Sequence, residues 1–85
     1  MTREQQVRHE ALLQLYGAQS LAVTAEHIAK VARRNGDDFS ALEVTNALVF
    51  LVDQTFAKEI TDPATGAKRY RITAAGSIHY EQNFA

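Results

Sequence analysis

Cysteine is absent from this chain of 85 residues, which also has a single proline and no tryptophan. Without thiols the chain can form neither a disulfide framework nor a thiolate-bound zinc or iron–sulfur centre. Its longest unbroken apolar run, residues 47–52, falls far short of the roughly 20 residues that a membrane-spanning helix needs. Residues 1–6 are polar and do not resemble a secretory signal. We therefore expect a small cytoplasmic domain with no membrane association.

An excess of charge of one sign is also missing. Nine basic and ten acidic residues give a formal charge of −1. A dominant attraction of the whole chain to nucleic acid is excluded, although a local basic patch is not. Hydrophobic residues make up 46% of the sequence and charged residues 22%, which is ordinary for a globular domain and too apolar for a disordered one. A chain of this length forms one domain, residues 1–85.

The first helix is predicted from about Thr2 to Tyr16. Thr2 and Gln5 have the spacing of a capping box, in which each side chain bonds the other residue's backbone N–H. One apolar face follows at helical spacing: Val7, Ala11, Leu12, Leu15 and Tyr16. We expect Gly17 to end this helix in a left-handed conformation. A short apolar run at 21–23 then predicts a stub of strand.

Two further helices have clear caps. Thr24 precedes a helix that should run to about Arg34 and end at Asn35-Gly36. Ser40 and Glu43 form a second capping box, and the third helix should run to about residue 53. Its predicted core face consists of Val44, Ala47, Leu48, Leu51 and Val52.

After residue 55 the apolar period changes from that of a helix to that of a strand. Alternating runs at 56–61 and 69–73 flank the turn residues 62–66, which predicts a β-hairpin. Thr73 should cap a short last helix running to about Gln82. The residues expected to pack this helix onto the core are Ala74, Ile78 and Tyr80 or Phe84.

The order helix, strand stub, helix, helix, strand, strand, helix resembles the winged helix-turn-helix domain of small bacterial and phage regulators. Residues 24–29 resemble the first helix of the motif, and residues 40–48 the start of the second. Residues 70–76 resemble the exit from the wing in many antibiotic-resistance-type and arsenic-type regulators. The resemblance implies an α+β fold with a three-helix core, a β-hairpin wing and a short C-terminal helix. It also implies binding of double-stranded DNA, often by a dimer.

Two features depart from that pattern. Asp37 and Asp38 make the connection between the motif helices acidic, which is unusual beside a phosphate backbone. Thr55-Phe56 stands where a glycine–leucine pair commonly closes the third helix.

Seven of the nine basic residues lie in two places, the end of the second helix and the hairpin. They are Lys30, Arg33 and Arg34, followed by Lys58, Lys68, Arg69 and Arg71. In the resembled domain the wing touches backbone or minor groove, so these side chains would bind phosphates. The alternative is a solvated strand face together with a helix end that its dipole favours.

The third helix, which would enter the major groove, has no lysine or arginine. Thr45 and Asn46 point away from its core face. Asn46 could read an adenine edge, and Thr45 could touch a phosphate or a thymine methyl. Either could equally be an ordinary exposed polar residue.

Apolar residues off the core face need a separate explanation. Leu42, Val49 and Phe50 could be covered by the first helix, form a homodimer seam or receive a partner protein. A second candidate interface consists of Ile78, Tyr80 and Phe84, which could pair across a two-fold axis or pack on their own core.

The sequence offers no catalytic or metal site. His9, His27 and His79 fall in three different predicted helices, and no pair has the spacing of a helical zinc site. There is no glycine-rich phosphate loop. We therefore expect a non-enzyme without cofactors. The hypotheses that remain are a DNA-binding regulator and a winged-helix module for protein–protein contacts.

Overall fold

The computed structural model describes residues 1–84. Four helices and one antiparallel hairpin follow the predicted order. They are α1 (Arg3–Ala18), α2 (Ala25–Arg34), α3 (Ala41–Asp53), β1 (Ala57–Thr61), β2 (Lys68–Ile72) and α4 (Ala74–Asn83). No helix among these residues is long and apolar enough to cross a membrane.

Short hydroxyl side chains start all four helices at the predicted positions, Thr2, Thr24, Ser40 and Thr73. Both predicted capping boxes are present. At α3, Ser40 Oγ accepts from Glu43 N at 3.1 Å, and Glu43 Oε1 accepts from Ser40 N at 3.1 Å. Each box pairs two backbone donors that the first helical turn would otherwise leave unpaired.

The ends of α2 and α3 share one geometry. Gly36 has a φ of 93°, and the N–H of Asp37 bonds back to Ala32 O at 2.9 Å. Thr55 takes the equivalent place after α3 with a φ of 67°, and the N–H of Phe56 bonds Leu51 O at 2.9 Å. These bonds are those of the Schellman motif. The departure noted at residue 55 therefore keeps the usual helix end but places a β-branched residue in a conformation that favours glycine.

The prediction that Gly17 ends α1 is wrong. Gly17 lies inside the helix, which continues to Ala18, and the positive φ of 56° falls on Gln19. The N–H of Gln19 still bonds Leu15 O at 3.0 Å, so the hydrogen-bond ladder of the helix passes Gly17 without interruption.

The hairpin pairs β1 with β2, with Ala57 opposite Ile72 and Lys58 opposite Arg71. Val23 adds a single bridge to Tyr70 through two backbone hydrogen bonds of 2.8 Å. The predicted strand stub is therefore confirmed as one paired residue. It ties the segment before α2 to the hairpin.

The core lies where α1, α2 and α3 meet, and the hairpin closes it with Ala57 and Tyr70. Its largest fully buried side chains are Val44, Leu48, Leu15 and Ile28. The predicted inner faces of α1 and α3 are confirmed, with Val52 only half-buried at the edge. This packing leaves the opposite side of α3 and the outer side of the hairpin in solvent.

Helix α4 packs through a different face from the predicted one. Ala74 and Ile78 are exposed, Ile78 by 53%, so neither packs back on the core. The inward residue is Gly76, where an added Cβ would lie 2.0 Å from Phe56 O. At 100° per residue, Ile78 lies about 200° from Gly76 and therefore faces solvent.

Aromatic stacking holds the rest of α4 against α1. The half-buried ring of Tyr80 stacks on Tyr16 with centroids 4.3 Å apart. Phe84 is 42% exposed, and its ring stacks on His9 at 4.4 Å. Tyr80 packs back as predicted, and Phe84 contacts α1 through one ring face.

Candidate nucleic-acid interface

The hairpin has two chemically different faces. Residues directly opposite each other in an antiparallel pair share a face, and successive residues alternate between faces. The face that includes buried Ala57 and Tyr70 points toward the core. The other face, called here the outer wing face, consists of Lys58, Ile60, Arg69 and Arg71. It has three cations and no acid.

Among residues 1–84, none of the three outer-face cations forms an ion pair. Lys58 and Arg71 stand directly opposite each other, an arrangement of like charges that costs stability unless an anion lies between them. Lys68 differs from them, because it alternates onto the core-side face and pairs with Glu59 at 3.7 Å. The predicted wing cations thus divide into an unpaired group of three and one paired lysine.

The cations at the end of α2 form a separate group. Lys30, Arg33 and Arg34 are exposed, and Arg33 Nε lies 4.0 Å from the Asp38 carboxylate. No hydrogen bond or ion pair within the described residues links this group to the wing. The two basic residues outside the predicted patches, Arg3 and Arg8, both lie on α1 and contact α3 or its flanking loop.

Arg3 neutralises one acid at the start of α3, Glu43. Its guanidinium pairs with both carboxylate oxygens of Glu43, at 2.5 and 3.0 Å, and donates to Asp38 O at 2.7 Å. The hydrogen bonds from Arg3, together with the one from Ser40, lower the pKa of Glu43 to about 2. Glu43 thus stays ionised, and the positive charge of Arg3 offsets it, so the start of α3 is less negative than its own residues suggest. No local pattern signals this pair, because its partners are 40 residues apart.

The free face of α3 is largely apolar. Leu42 is 70% and Val49 46% exposed, and exposed Asn46 lies between them. Thr45 is half-buried and its hydroxyl donates to Ala41 O at 2.8 Å. Phe50 is partly covered by α1, since the Arg8 guanidinium lies 3.8 Å from the centre of its ring. Of the three apolar residues off the core face, α1 therefore covers only Phe50.

An apolar cleft of about 410 Å³ opens between α1, the end of α3 and α4. Its aromatic walls include Phe50, Phe56 and Phe84, and His9 and His79 also line it. No acid, hydroxyl or thiol lines the cleft, so it offers no nucleophile–base pair. Within the described part of the chain, no three histidine or acidic side chains gather where they could hold a metal ion.

The fold matches those of solved structures of other proteins. MepR, crystallised as a mutant from a multidrug-resistant S. aureus clinical isolate, aligns with a TM-score of 0.76 and 21% identity over 94% of this chain. F-93 of SSV1 aligns with a TM-score of 0.63 and 22% identity, over 87% of this chain and 79% of F-93. The chain spans about half of MepR, 55% of its length. No protein-family model and no curated protein sequence matches the chain. The likenesses confirm the predicted fold, a winged helix-turn-helix domain.

Proposed function

We propose that this winged-helix chain binds double-stranded DNA and acts as a small transcription regulator. The observation that carries the proposal is the outer wing face, with three cations, no acid and no ion pair among residues 1–84. The fold that the chain shares with MepR and with F-93 of SSV1 supports it, because a helix-turn-helix places its second helix in the major groove of DNA. We assign no catalytic step to this chain.

The wing cations bind phosphates in this proposal. Arg69 and Arg71 present planar guanidinium groups that can donate two hydrogen bonds to one phosphate, and Lys58 adds a point charge beside Arg71. A phosphate between Lys58 and Arg71 would relieve the repulsion across the strand pair. Lys68 contributes less to phosphate binding in this proposal, because Glu59 already pairs with it.

The end of α2 extends the phosphate-binding surface. Lys30, Arg33 and Arg34 are exposed there, next to the connection to α3. Within α3, Asn46 contacts a base edge, and Thr45 contacts a phosphate or a thymine methyl with the part of its side chain that its bond to Ala41 leaves free.

We further propose a homodimer, because DNA regulators of this fold gain affinity by placing two copies on two half-sites. Exposed Ile78 is the member of the predicted C-terminal interface that remains available for a second copy. Tyr80 and Phe84 already stack on Tyr16 and His9, so they would contribute edges rather than whole rings.

The alternative of a protein-interaction module rests on the exposed Leu42 and Val49. The outer wing face does not fit it, because a set of unpaired cations matches a polyanion better than an apolar partner. Leu42→Asp/Val49→Asp tests the alternative, because both side chains are exposed and the variant should fold. Loss of self-association or of a partner contact would favour the module, whereas unchanged association would refute it.

The experiment for the wing is fluorescence anisotropy with a random-sequence duplex over a series of salt concentrations. Each phosphate contact contributes about −0.9 to the slope of log K against log salt. Arg69→Ala/Arg71→Ala should therefore make the slope shallower by about 1.8. Lys68→Ala, one residue away on the other face, is the matched control and should change the slope little. An unaltered slope in the double variant would refute the wing role.

A further inference from the structure

The free face of α3 carries one continuous stripe of three side chains. Leu42, Asn46 and Val49 are spaced four and three residues apart and lie within about 60° around the helix axis. All three are exposed. The stripe is apolar at both ends with a single carboxamide between them. Helix α1 borders the stripe on one side, where Asn46 lines a shallow cleft with Arg3, Glu4, Val7 and Arg8. Asn46 nevertheless stays exposed, as Leu42 and Val49 do.

Each member of the stripe matches an atom group that only an A·T pair presents in the major groove. An apolar side chain contacts the C5-methyl of thymine, and an asparagine carboxamide can bond adenine N6 and N7 together. The commonest reader of guanine is a bidentate arginine or lysine, and α3 has neither from Ala41 to Asp53. The helix therefore has the side chains for A·T pairs and lacks those for guanine.

The length of the stripe fits the spacing of base pairs. From Leu42 to Val49 the helix rises about 10.5 Å, because each residue adds about 1.5 Å. With about 3.4 Å per base on one strand, this distance spans about three steps. Two thymine methyls three steps apart, with an adenine between them, would meet Leu42, Asn46 and Val49 in order.

The charges around the stripe favour DNA over a protein as its occupant. Arg3 pairs with Glu43 at the N-terminal end of α3, the end that contacts bases in helix-turn-helix proteins. Asp53 lies about one turn beyond Val49, at the C-terminal end of α3. The outer wing face supplies unpaired cations that an apolar protein partner would leave unmatched.

We propose that α3 selects A·T-containing sites through thymine methyl contacts by Leu42 and Val49 on either side of an adenine read by Asn46. This inference rests on the proposed DNA binding and adds its sequence preference. Non-specific affinity stays with the wing cations, because phosphate contacts carry no sequence information.

Four short duplexes of equal length test the methyl contacts, and one strand of each repeats T-A-A, U-A-A, C-G-G or 5-methylcytosine-G-G, so that the pyrimidines lie three steps apart. The same base replaces thymine or cytosine on both strands, and the duplexes are called A-T, A-U, G-C and G-5-methylcytosine. Uracil differs from thymine only in lacking the C5-methyl, so the comparison leaves charge, the minor groove and base pairing unchanged. Loss of one buried methyl contact weakens binding about fourfold. We expect the wild type to bind A-T about 4- to 15-fold more tightly than A-U. Methylation of cytosine adds the same C5-methyl, so the wild type should also bind G-5-methylcytosine more tightly than G-C.

The matched variants are Leu42→Ala/Val49→Ala and, as the control in the segment before α2, Leu21→Ala. All three side chains are exposed, so truncation should leave the fold intact, which circular dichroism checks. The double variant should bind A-T and A-U equally, and the control should keep the wild-type ratio. Asn46→Ala should reduce the preference for A-T over G-5-methylcytosine.

Equal binding of A-T and A-U by the wild type, with the salt-dependent binding intact, would overturn this inference and leave the proposed function standing. Absence of any duplex binding at low salt would overturn both. Sedimentation of the same proteins tests whether a second copy of the chain, rather than DNA, occupies the stripe. A wild-type dimer that becomes a monomer in Leu42→Ala/Val49→Ala, with its A-T preference unchanged, would assign the stripe to a subunit seam and refute the inference.

Discussion

Two glycines inside helices should respond to the same substitution with opposite sign. Neither Gly17 in α1 nor Gly76 in α4 has a positive φ. Alanine is better than glycine in a helix interior by about 1 kcal/mol, so propensity alone favours both changes. The surroundings differ, because an added Cβ at Gly17 meets no atom within 4 Å, whereas at Gly76 it would lie 2.0 Å from Phe56 O.

The free-energy cost of Gly76→Ala comes from moving α4 away from residues 55–56. The first turn of α4 lies against residues 55–56, where Thr73 N donates to Phe56 O at 3.1 Å and Thr73 Oγ1 donates to Thr55 O at 2.6 Å. Separating the two segments weakens both bonds, each contributing about 1 kcal/mol, and overpacking adds about 1–3 kcal/mol. After subtracting the gain in helix propensity, Gly76→Ala should lower the free energy of unfolding by about 2–4 kcal/mol.

Thermal and urea unfolding followed by circular dichroism measure the effect. Gly76→Ala should lower Tm by roughly 8–32 °C, since each kcal/mol corresponds to about 4–8 °C in a domain of this size. Gly17→Ala is the matched control and should raise Tm by roughly 2–8 °C. A Gly76→Ala variant as stable as the wild type would refute the close approach of α4. A destabilised Gly17→Ala would restore Gly17 as a left-handed helix end.

Three further substitutions test the Arg3–Glu43 ion pair, the cap of α4 and the end of α3. Glu43→Gln keeps the capping box and removes the charge. Arg3 and Ser40 hold the pKa of Glu43 near 2, well below its ordinary value of 4.5. Wild-type stability should therefore fall as the pH drops from about 4.5 to about 2, and the Tm of the variant should fall less over the same pH range. The same pH dependence of Tm in the wild type and the variant would contradict the Arg3–Glu43 ion pair. Thr73→Ala should cost about 1–2 kcal/mol in urea unfolding, and Thr73→Ser should recover most of it; no recovery would show that the hydroxyl is not the stabilising group. Thr55→Gly should raise the free energy of unfolding by up to about 1 kcal/mol, because it relieves a left-handed β-branched residue; a loss of stability would show that this threonine is not strained.

The helix starts could be predicted from the sequence because each depends on residues within one turn. Thr2 with Gln5 and Ser40 with Glu43 satisfy backbone donors locally, and both boxes are present. The change of period at residue 55 likewise predicts the hairpin, whereas the placement of Lys58 and Arg71 on one face follows from the pairing register in the structure.

The errors arise where a distant segment decides the outcome. Glycine is the residue type expected at a helix end, but the hydrogen-bond ladder of α1 continues past Gly17. The orientation of α4 depends on how closely Gly76 can approach Phe56 O, which sequence spacing does not reveal. The pairing of Arg3 with Glu43 is equally non-local, so the sequence overstates the negative charge at the start of α3.

The most direct test of the proposed function is a titration of the wild-type protein against a random-sequence duplex at about 50 and about 200 mM salt. Three phosphate contacts by Lys58, Arg69 and Arg71 predict a slope of about −2.7, so the affinity should fall about 40-fold or more across that interval. Binding in the micromolar range at low salt with this loss at high salt is the predicted result. No detectable binding at low salt, or binding that salt leaves unchanged, would contradict a phosphate-binding wing.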